Sequence, residues 1–374
     1  MANEGKKVSA ATSKDGFQVM LGNMKDLHWW IDFLIRNAIY IIIALLVIYT
    51  QYYSTVVKHS SNSFLSFAAL IDIMKRFGAA LFLALGVGGI IVLTGTDLSA
   101  GRVVGLTACI SASLLQKPLA DFKTKMWPDL VAPPIIFVLL LAMAIGCIIG
   151  IVNGFCVAKF KLHPFIVTLA TQLMIYGTVL TYVTLGRNGG APISGLTEEY
   201  KTVVKGTWIM PEWLDKNKTE IPYYVLYAVI AAAIIWFIWN KSTLGKNMYA
   251  VGANPEAANV SGVSVLWTTI FIFMIAGIMY GVGGFVEAAR TGSNTALTGD
   301  GWELDAIAAC VIGGVSFTGG VGKISGVITG VVLIQIIEVS LQWLTVSGNL
   351  KYIIKGLIIL AACAIDMRKY LQKK

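Results

Sequence analysis

The sequence predicts an all-α polytopic membrane protein of about ten transmembrane helices, some of them broken, with both termini cytoplasmic. Three observations predict it. The 374 residues are 56% hydrophobic and only 13% charged, about half the charge of a soluble domain. Near-charge-free runs of about 17–25 residues recur, each long enough to cross a bilayer as a helix. The basic residues gather in short loops and at the two ends, where they act as orientation signals. The ten-residue alternation of a barrel is absent.

The elements follow in order. Residues 1–36 read as a cytoplasmic tail. Apolar residues at helical spacing (Leu27, Trp30, Ile31, Leu34, Ile35) make its end either an interfacial helix or an extension of the first span. Residues 37–374 form the transmembrane domain. Its spans are about Ala38–Tyr53, Phe77–Leu93, a third ending near Gln116, Ile135–Val157, Pro164–Leu185, Tyr223–Trp239, Val265–Ala288, Val327–Leu344 and Tyr352–Ile365. The run Ala306–Val315 is too short to cross, and Gly-rich Ser316–Gly326 follows it. Two half-helices, or one broken helix packed inside protein, would explain this. Lys159, Lys161, Lys241, Lys246 and Lys323 place their loops inside, so 187–220 is the extracytoplasmic loop and 241–264 a cytoplasmic one. Lys117, Lys123 and Lys125 run against that assignment.

Spaced glycines mark close helix contacts: Gly101/Gly105, Gly146/Gly150/Gly154, Gly277/Gly281 and Gly326/Gly330. Gly86-Val87-Gly88-Gly89 echoes Gly281-Val282-Gly283-Gly284, which is too short to establish a repeat. Glu287 and Arg290, one turn apart, are spaced to pair.

Several chemistries are excluded. Cys109, Cys147, Cys156, Cys310 and Cys363 lie in or beside apolar spans without a CxxC, which suits small buried residues and no metal. The net charge of +9 lacks the basic and aromatic interleaving of a nucleic-acid surface. Gly322-Lys323 precedes Ile324 and Gly245-Lys246 precedes Asn247, so neither makes a P-loop. No Ser-His-Asp grouping or paired-carboxylate site stands out, and no catalytic residue or cofactor is assigned. A transporter built this way must use an ion gradient or borrow a motor.

The candidate functional element is the polar interruption between the sixth and seventh spans. Asn254 reads as an N-cap, Pro255 as the first helical position, Glu256 as a favourable first-turn charge and Gly262 as the stop. This describes a helix of about two turns, too short to stand alone in water. Gly252, Asn254, Pro255, Glu256, Ala257, Ala258, Asn259, Ser261 and Gly262 are the candidate docking residues, and the small ones let a partner approach. Local features leave open an ordinary capped loop helix. Asp97 and Arg102 flank one break and read as a structural clamp. Glu338, with Gln335 one turn before it, is acidic well inside a span, a solute contact or an interhelical hydrogen bond.

These residues resemble the permease subunit of bacterial sugar importers of the ABC type, ribose/galactose class. The likeness covers about Phe77 to the C-terminus. It is carried by Gly95-Thr96-Asp97-Leu98-Ser99-Ala100-Gly101-Arg102, Gly245-Lys246-Asn247, Gly252-Ala253-Asn254-Pro255-Glu256-Ala257-Ala258, Glu303-Leu304-Asp305-Ala306-Ile307-Ala308-Ala309, Gly313-Gly314-Val315-Ser316-Phe317-Thr318-Gly319-Gly320, and Tyr352-Ile353-Ile354-Lys355-Gly356. Within the class, the wording of residues 95–102 and Ala191-Pro192-Ile193-Ser194-Gly195 favour the galactose/methyl-galactoside branch.

The resemblance implies a multi-pass protein of the bacterial inner membrane, paired with a second copy of itself among the membrane lipid. It implies a cytoplasmic ATPase that holds ATP and Mg, an extracytoplasmic sugar-binding protein, and 252–264 as the coupling helix. Galactose or methyl-galactoside is the implied cargo, with ribose, another sugar or a nucleoside as the alternative. A neutral polyol needs a path lined by polar side chains, for which Asn153, Gln172 and Glu338 are the candidates. A self-sufficient ion-coupled carrier and an intramembrane enzyme are the competing classes.

Overall fold

The structure, a computed structural model, describes residues 27–57, 63–118, 124–209 and 220–371. The tail expected over 1–26 lies outside the described residues, as do Lys123, Pro211 and Trp213 in the outer segments. Among the described residues, seven helices are long and apolar enough to cross a membrane.

Helix α1 runs Leu27–Tyr52 and ends in a π-turn, Tyr53–Val57. It passes residue 36 without a break, so the extension of the first span is what forms. Ser66 caps α2, Phe67–Val92, by accepting from the Ala69 amide at 3.4 Å. This helix starts earlier than expected because the amphipathic stretch with Asp72, Lys75 and Arg76 continues it. Then come α3 (Ala100–Leu114), α4 (Ile135–Phe160), α5 (Pro164–Thr184), α6 (Glu198–Lys205), α7 (Tyr223–Lys241), α8 (Thr243–Ala253), α9 (Pro255–Val260), α10 (Val265–Thr291), α11 (Trp302–Ile312), α12 (Ile324–Trp343) and α13 (Gly348–Leu371).

Helix α10 is the central post, packed on α2, α3 and α4. Water drives no helix association inside lipid, so close van der Waals contact must hold the bundle. The glycines provide it. A side chain on Gly146 would strike the Gly277 carbonyl, and one on Gly281 the Ala142 carbonyl. Gly150 faces the Phe273 carbonyl, and Gly154 lies on Ile270 and Phe273. Both Gly-Val-Gly-Gly runs serve the same end, with Gly86 against Tyr280 and Gly284 against Thr107.

Two helices begin inside the bundle. The segment before α3 is irregular, and Leu98 N donates to Thr168 Oγ1 at 3.1 Å. The segment after α10 doubles back along α3. Cys109 Sγ donates to the Thr295 carbonyl at 3.4 Å, Gly105 lies on Thr298, and Gly101 lies on Gly299. Irregular backbone at this depth survives because protein surrounds and satisfies it. The short run and the Gly-rich stretch become α11 and the turn into α12. Gly330 lies on the Ala309 carbonyl, and Gly313 and Gly326 face each other.

The described part of the outer segment, residues 187–209, is strapped down. Ile193 and Asn294 exchange backbone hydrogen bonds of 2.8 and 2.9 Å, and Gln116 Nε2 donates to the Ser194 carbonyl at 2.7 Å. In α6, Tyr200 is fully buried with its ring 4.9 Å from that of Phe285. Lys117 and Lys201 lie 2.7 and 3.0 Å from Glu198, and their ammonium groups hold its carboxyl below the ordinary range. Strands β1 (Thr207–Ile209) and β2 (Glu220–Pro222) pair antiparallel.

Replacing Gly150 by Leu is expected to cost about 1–3 kcal/mol or more through overpacking and to lower the melting temperature in detergent. Gly177 on α5 has nothing within 4 Å, so Gly177→Ala is expected to cause no loss in the same melting experiment.

Candidate functional site

Between α7 and α10 the chain builds two helices set end to end. Ser242 caps α8 by accepting from the Gly245 amide at 3.1 Å. Asn254 ends α8 and caps α9, with Oδ1 accepting from the Ala257 amide at 3.0 Å, and Pro255 takes the first helical position. Gly262 sits at φ +83°, and Val263 N donates back to the Ala258 carbonyl at 3.0 Å. A side chain at Gly262 would be strained in that conformation. Ser264 then caps α10.

This element presents Asn254, Pro255, Glu256, Ala257, Asn259, Ser261 and Gly262 to the surface. Two of the expected docking residues are not available to a partner. Gly252 is buried against the Val92 carbonyl and Gly320, and Ala258 is only 5% exposed. They root the helices instead of displaying them. Val260, 89% exposed, belongs to the surface and was not among the expected residues, because a lone apolar residue carries no signal in a membrane sequence.

Behind the exposed face is a joint. Gly320 N donates to the Val92 carbonyl at 2.9 Å, and Tyr249 OH donates to the Gly322 carbonyl at 2.9 Å. The end of α2, the end of α8 and the turn between α11 and α12 therefore meet at one place. Helix α8 itself was unexpected, since Lys246, Asn247 and Gly252 make its sequence look like loop.

The expected Asp97–Arg102 clamp does not form. Asp97 accepts from the Ser99 amide at 2.9 Å and the Ser99 hydroxyl at 2.6 Å. A carboxylate just before a helix start finds local donors first. Arg102, one turn in, pairs with Asp300, donates to the Ala296 carbonyl at 3.1 Å and lies 4.2 Å from the centre of the Tyr176 ring. Each half of the expected pair anchors a break, but a different one.

Asn153 is buried and hydrogen-bonded through both side-chain heteroatoms. Its Nδ2 donates to Ser99 Oγ at 3.2 Å, and its Oδ1 accepts from Thr171 Oγ1 at 2.6 Å. It ties α4 and α5 to the break before α3. Gln172 is half-buried on α5. Neither lines the cavity in which Glu338 lies. That cavity, of about 190 Å³, is walled by Arg76, Ala80 and Ala84 on α2, Trp302, Asp305 and Ala309 on α11, Gln335 and Glu338 on α12, and Lys355 on α13. Lys355 Nζ lies 3.0 Å from Asp305 Oδ2 and also pairs with Glu338. Arg290, at the cavity wall, holds Glu287 through bonds of 2.6 and 2.8 Å, the pairing their spacing predicts.

The sequence matches, over residues 69–363, the family described as "Branched-chain amino acid transport system / permease component". The chain belongs to this family. The permease is 43% identical over 343 residues to the galactose/methyl galactoside import permease protein MglC of Haemophilus influenzae, covering 92% of this chain and 97% of the relative. It is 41% identical over 345 residues to MglC of Escherichia coli strain K12, covering 92% and 98%. The ribose import permease protein RbsC of Escherichia coli strain K12 is 29% identical over 331 residues, covering 88% and 93%. No solved structure matches. The permease is a transport subunit, not an enzyme.

Asp97→Ala is expected to lower stability by about 1–3 kcal/mol, since it strips a buried donor pair of its acceptor. A thermal melt of the purified permease measures this. The range of sugars taken up by cells carrying the variant is expected to stay as it was.

Proposed function

We propose that this permease is the membrane subunit of an ATP-driven importer in the bacterial inner membrane, and that its cargo is galactose or a methyl-galactoside. The 41–43% identity to the MglC proteins supports that cargo. Ribose is the second reading, supported by the 29% identity to RbsC. A cytoplasmic ATPase holds ATP and Mg and supplies the force, an extracytoplasmic binding protein delivers the sugar, and a second copy of the permease completes the membrane unit.

The observation that carries the coupling role is the exposed, doubly capped α9 with its buried root. A partner can grip Pro255, Glu256, Asn259 and Val260 from outside. A push there is borne by α8, whose Gly252 lies on α2 and whose Tyr249 holds the turn leading into α12. Interfaces packed this closely shift as units rather than deform smoothly. The force from ATP hydrolysis is thereby delivered to α2, α11 and α12, the walls of the membrane cavity.

In vesicles holding the whole importer, Glu256→Lys and Gly262→Leu are expected to uncouple ATP hydrolysis from sugar uptake while the permease stays folded. Normal stimulation of the ATPase in both variants would remove the docking role. The permease reconstituted alone is expected to concentrate no sugar against a gradient, measured with labelled methyl-galactoside. Accumulation by the lone chain would show a self-powered carrier.

A further inference from the structure

At the end of the bundle away from α9, α3 and α5 stop and residues 124–134 lead along the rim into α4. Here the chain walls two hollows that meet. One, of about 540 Å³, is lined by Leu114, Trp127, Pro128, Asp129, Leu130 and Tyr182. The other, of about 670 Å³, shares Pro128, Asp129 and Leu130 with it and adds Lys117, Lys125, Val131 and Glu199. A bare ion, on the scale of a water at about 30 Å³, would fill little of either. The loop between them is held firmly. Gln116 Oε1 accepts from the Met126 amide at 2.8 Å, and the Arg187 amide donates to the Met126 carbonyl at 3.1 Å. The hollows are therefore preformed.

Lys125 sets the chemistry. It is only 4% exposed, and it donates to the neutral Leu130 carbonyl. Among the described residues no carboxylate lies within ion-pair distance of it. An ammonium has three donors, and a buried charge is costly until it is paired. The site is short of an anion. Its remaining wall has the opposite need. Lys117 is matched by Glu198, which leaves Asp129 and Glu199 as exposed carboxylates beside Lys125. A guest that suits both must carry a negative and a positive group together.

An aromatic corner receives the positive one. Trp127 and Tyr182 set their rings 6.4 Å apart, and a 2.6 Å hydrogen bond to Ser113 fixes Tyr182. Asp129 shares that wall, and a ring face beside a carboxylate suits an ammonium. Trp and Tyr at a helix end also mark the level of lipid headgroups. Next to the hollows Val131 is 86% exposed, and the first turns of α4 expose Ile136, Phe137 and Leu140, a surface suited to hydrocarbon. Phosphate, ammonium and acyl chains at this depth make a phospholipid.

We propose that the joined hollows bind one zwitterionic phospholipid of the leaflet away from α9, with its phosphate on Lys125 and its ammonium between Asp129 and the Trp127 ring. An anionic headgroup without the ammonium satisfies Lys125 but is repelled by Asp129 and Glu199. The site lies apart from α9 and from the cavity at Lys355.

The test titrates the full-length permease in detergent with dioleoyl phosphatidylethanolamine or dioleoyl phosphatidylglycerol and reads bound lipid by native mass spectrometry. Phosphatidylethanolamine is expected to bind about tenfold more tightly than phosphatidylglycerol, and Lys125→Gln to weaken it about tenfold, the loss of one charged hydrogen bond. Asp129→Asn is expected to erase the preference between the two lipids, which a general loss of structure would not do selectively. Asp129 is exposed, so this variant decides the matter if Lys125→Gln does not fold. Equal affinity for the two lipids in the parent, or an unchanged preference in Asp129→Asn, would overturn the proposal. Soluble phosphoethanolamine is expected to displace the lipid only in large molar excess. Displacement at equal concentration would assign the hollows to a soluble zwitterion and overturn the lipid site.

Discussion

Backbone touching backbone at glycine is the contact on which this bundle depends. Helix α10 approaches α4 so closely that Gly146, Gly150, Gly277 and Gly281 have no room for a methyl group. In lipid, where burying a leucine gains little over leaving it in the hydrocarbon, such contact replaces the hydrophobic core of a soluble protein. It also explains the irregular stretches at depth. With α10 held in place by α2, α3 and α4, the segment after it can fold back along α3 and be enclosed. Its polar groups then meet partners such as Cys109 and Arg102 and not hydrocarbon.

The same close approach links the two ends of the proposed coupling route. The exposed face of α9 and the polar cavity are separated in sequence, yet both belong to elements that meet where Gly252, Val92 and Gly320 touch. Helix α2 runs from that meeting point to Ala84 and Arg76 in the cavity wall, and α12 runs from it to Gln335 and Glu338. In the proposed coupling, these two stiff rods with a common base carry the push from the surface helix to the cavity. The ionic cluster at Lys355 ties α11, α12 and α13 across that chamber.

Much of this was legible in the residues. Composition and run length suffice for a helical membrane protein, because the bilayer leaves the chain so few alternatives. Asn254, Pro255 and Gly262 showed α9 because capping is local chemistry, complete within a few residues. The Glu287–Arg290 pair was visible for the same reason. Partners distant in sequence were not. Asp97 and Arg102 look like a pair on paper, and only the fold-back of 292–301 brings Asp300 to the arginine. Glu338 was singled out, but its partner Lys355 lies on another helix, and nothing local joins them. Gly252 and Ala258 looked like docking residues because smallness suits an outside partner and an inside one equally well.

Helix α1 raises a matter of timing. Its neighbours are α12 and α13, the last long helices of the chain. Close to it, Phe64 sets its ring 5.8 Å from that of Trp343. During synthesis α1 (Leu27–Tyr52) is made well before its resting place, which does not exist until Ile324–Trp343 follows. Until then it must persist as a lone, lipid-solvated rod. Its outward leucines, isoleucines and tyrosines (Leu45, Ile48 and Tyr49 among them) equip it to wait. The chain is closed like a hoop whose first stave is fitted last.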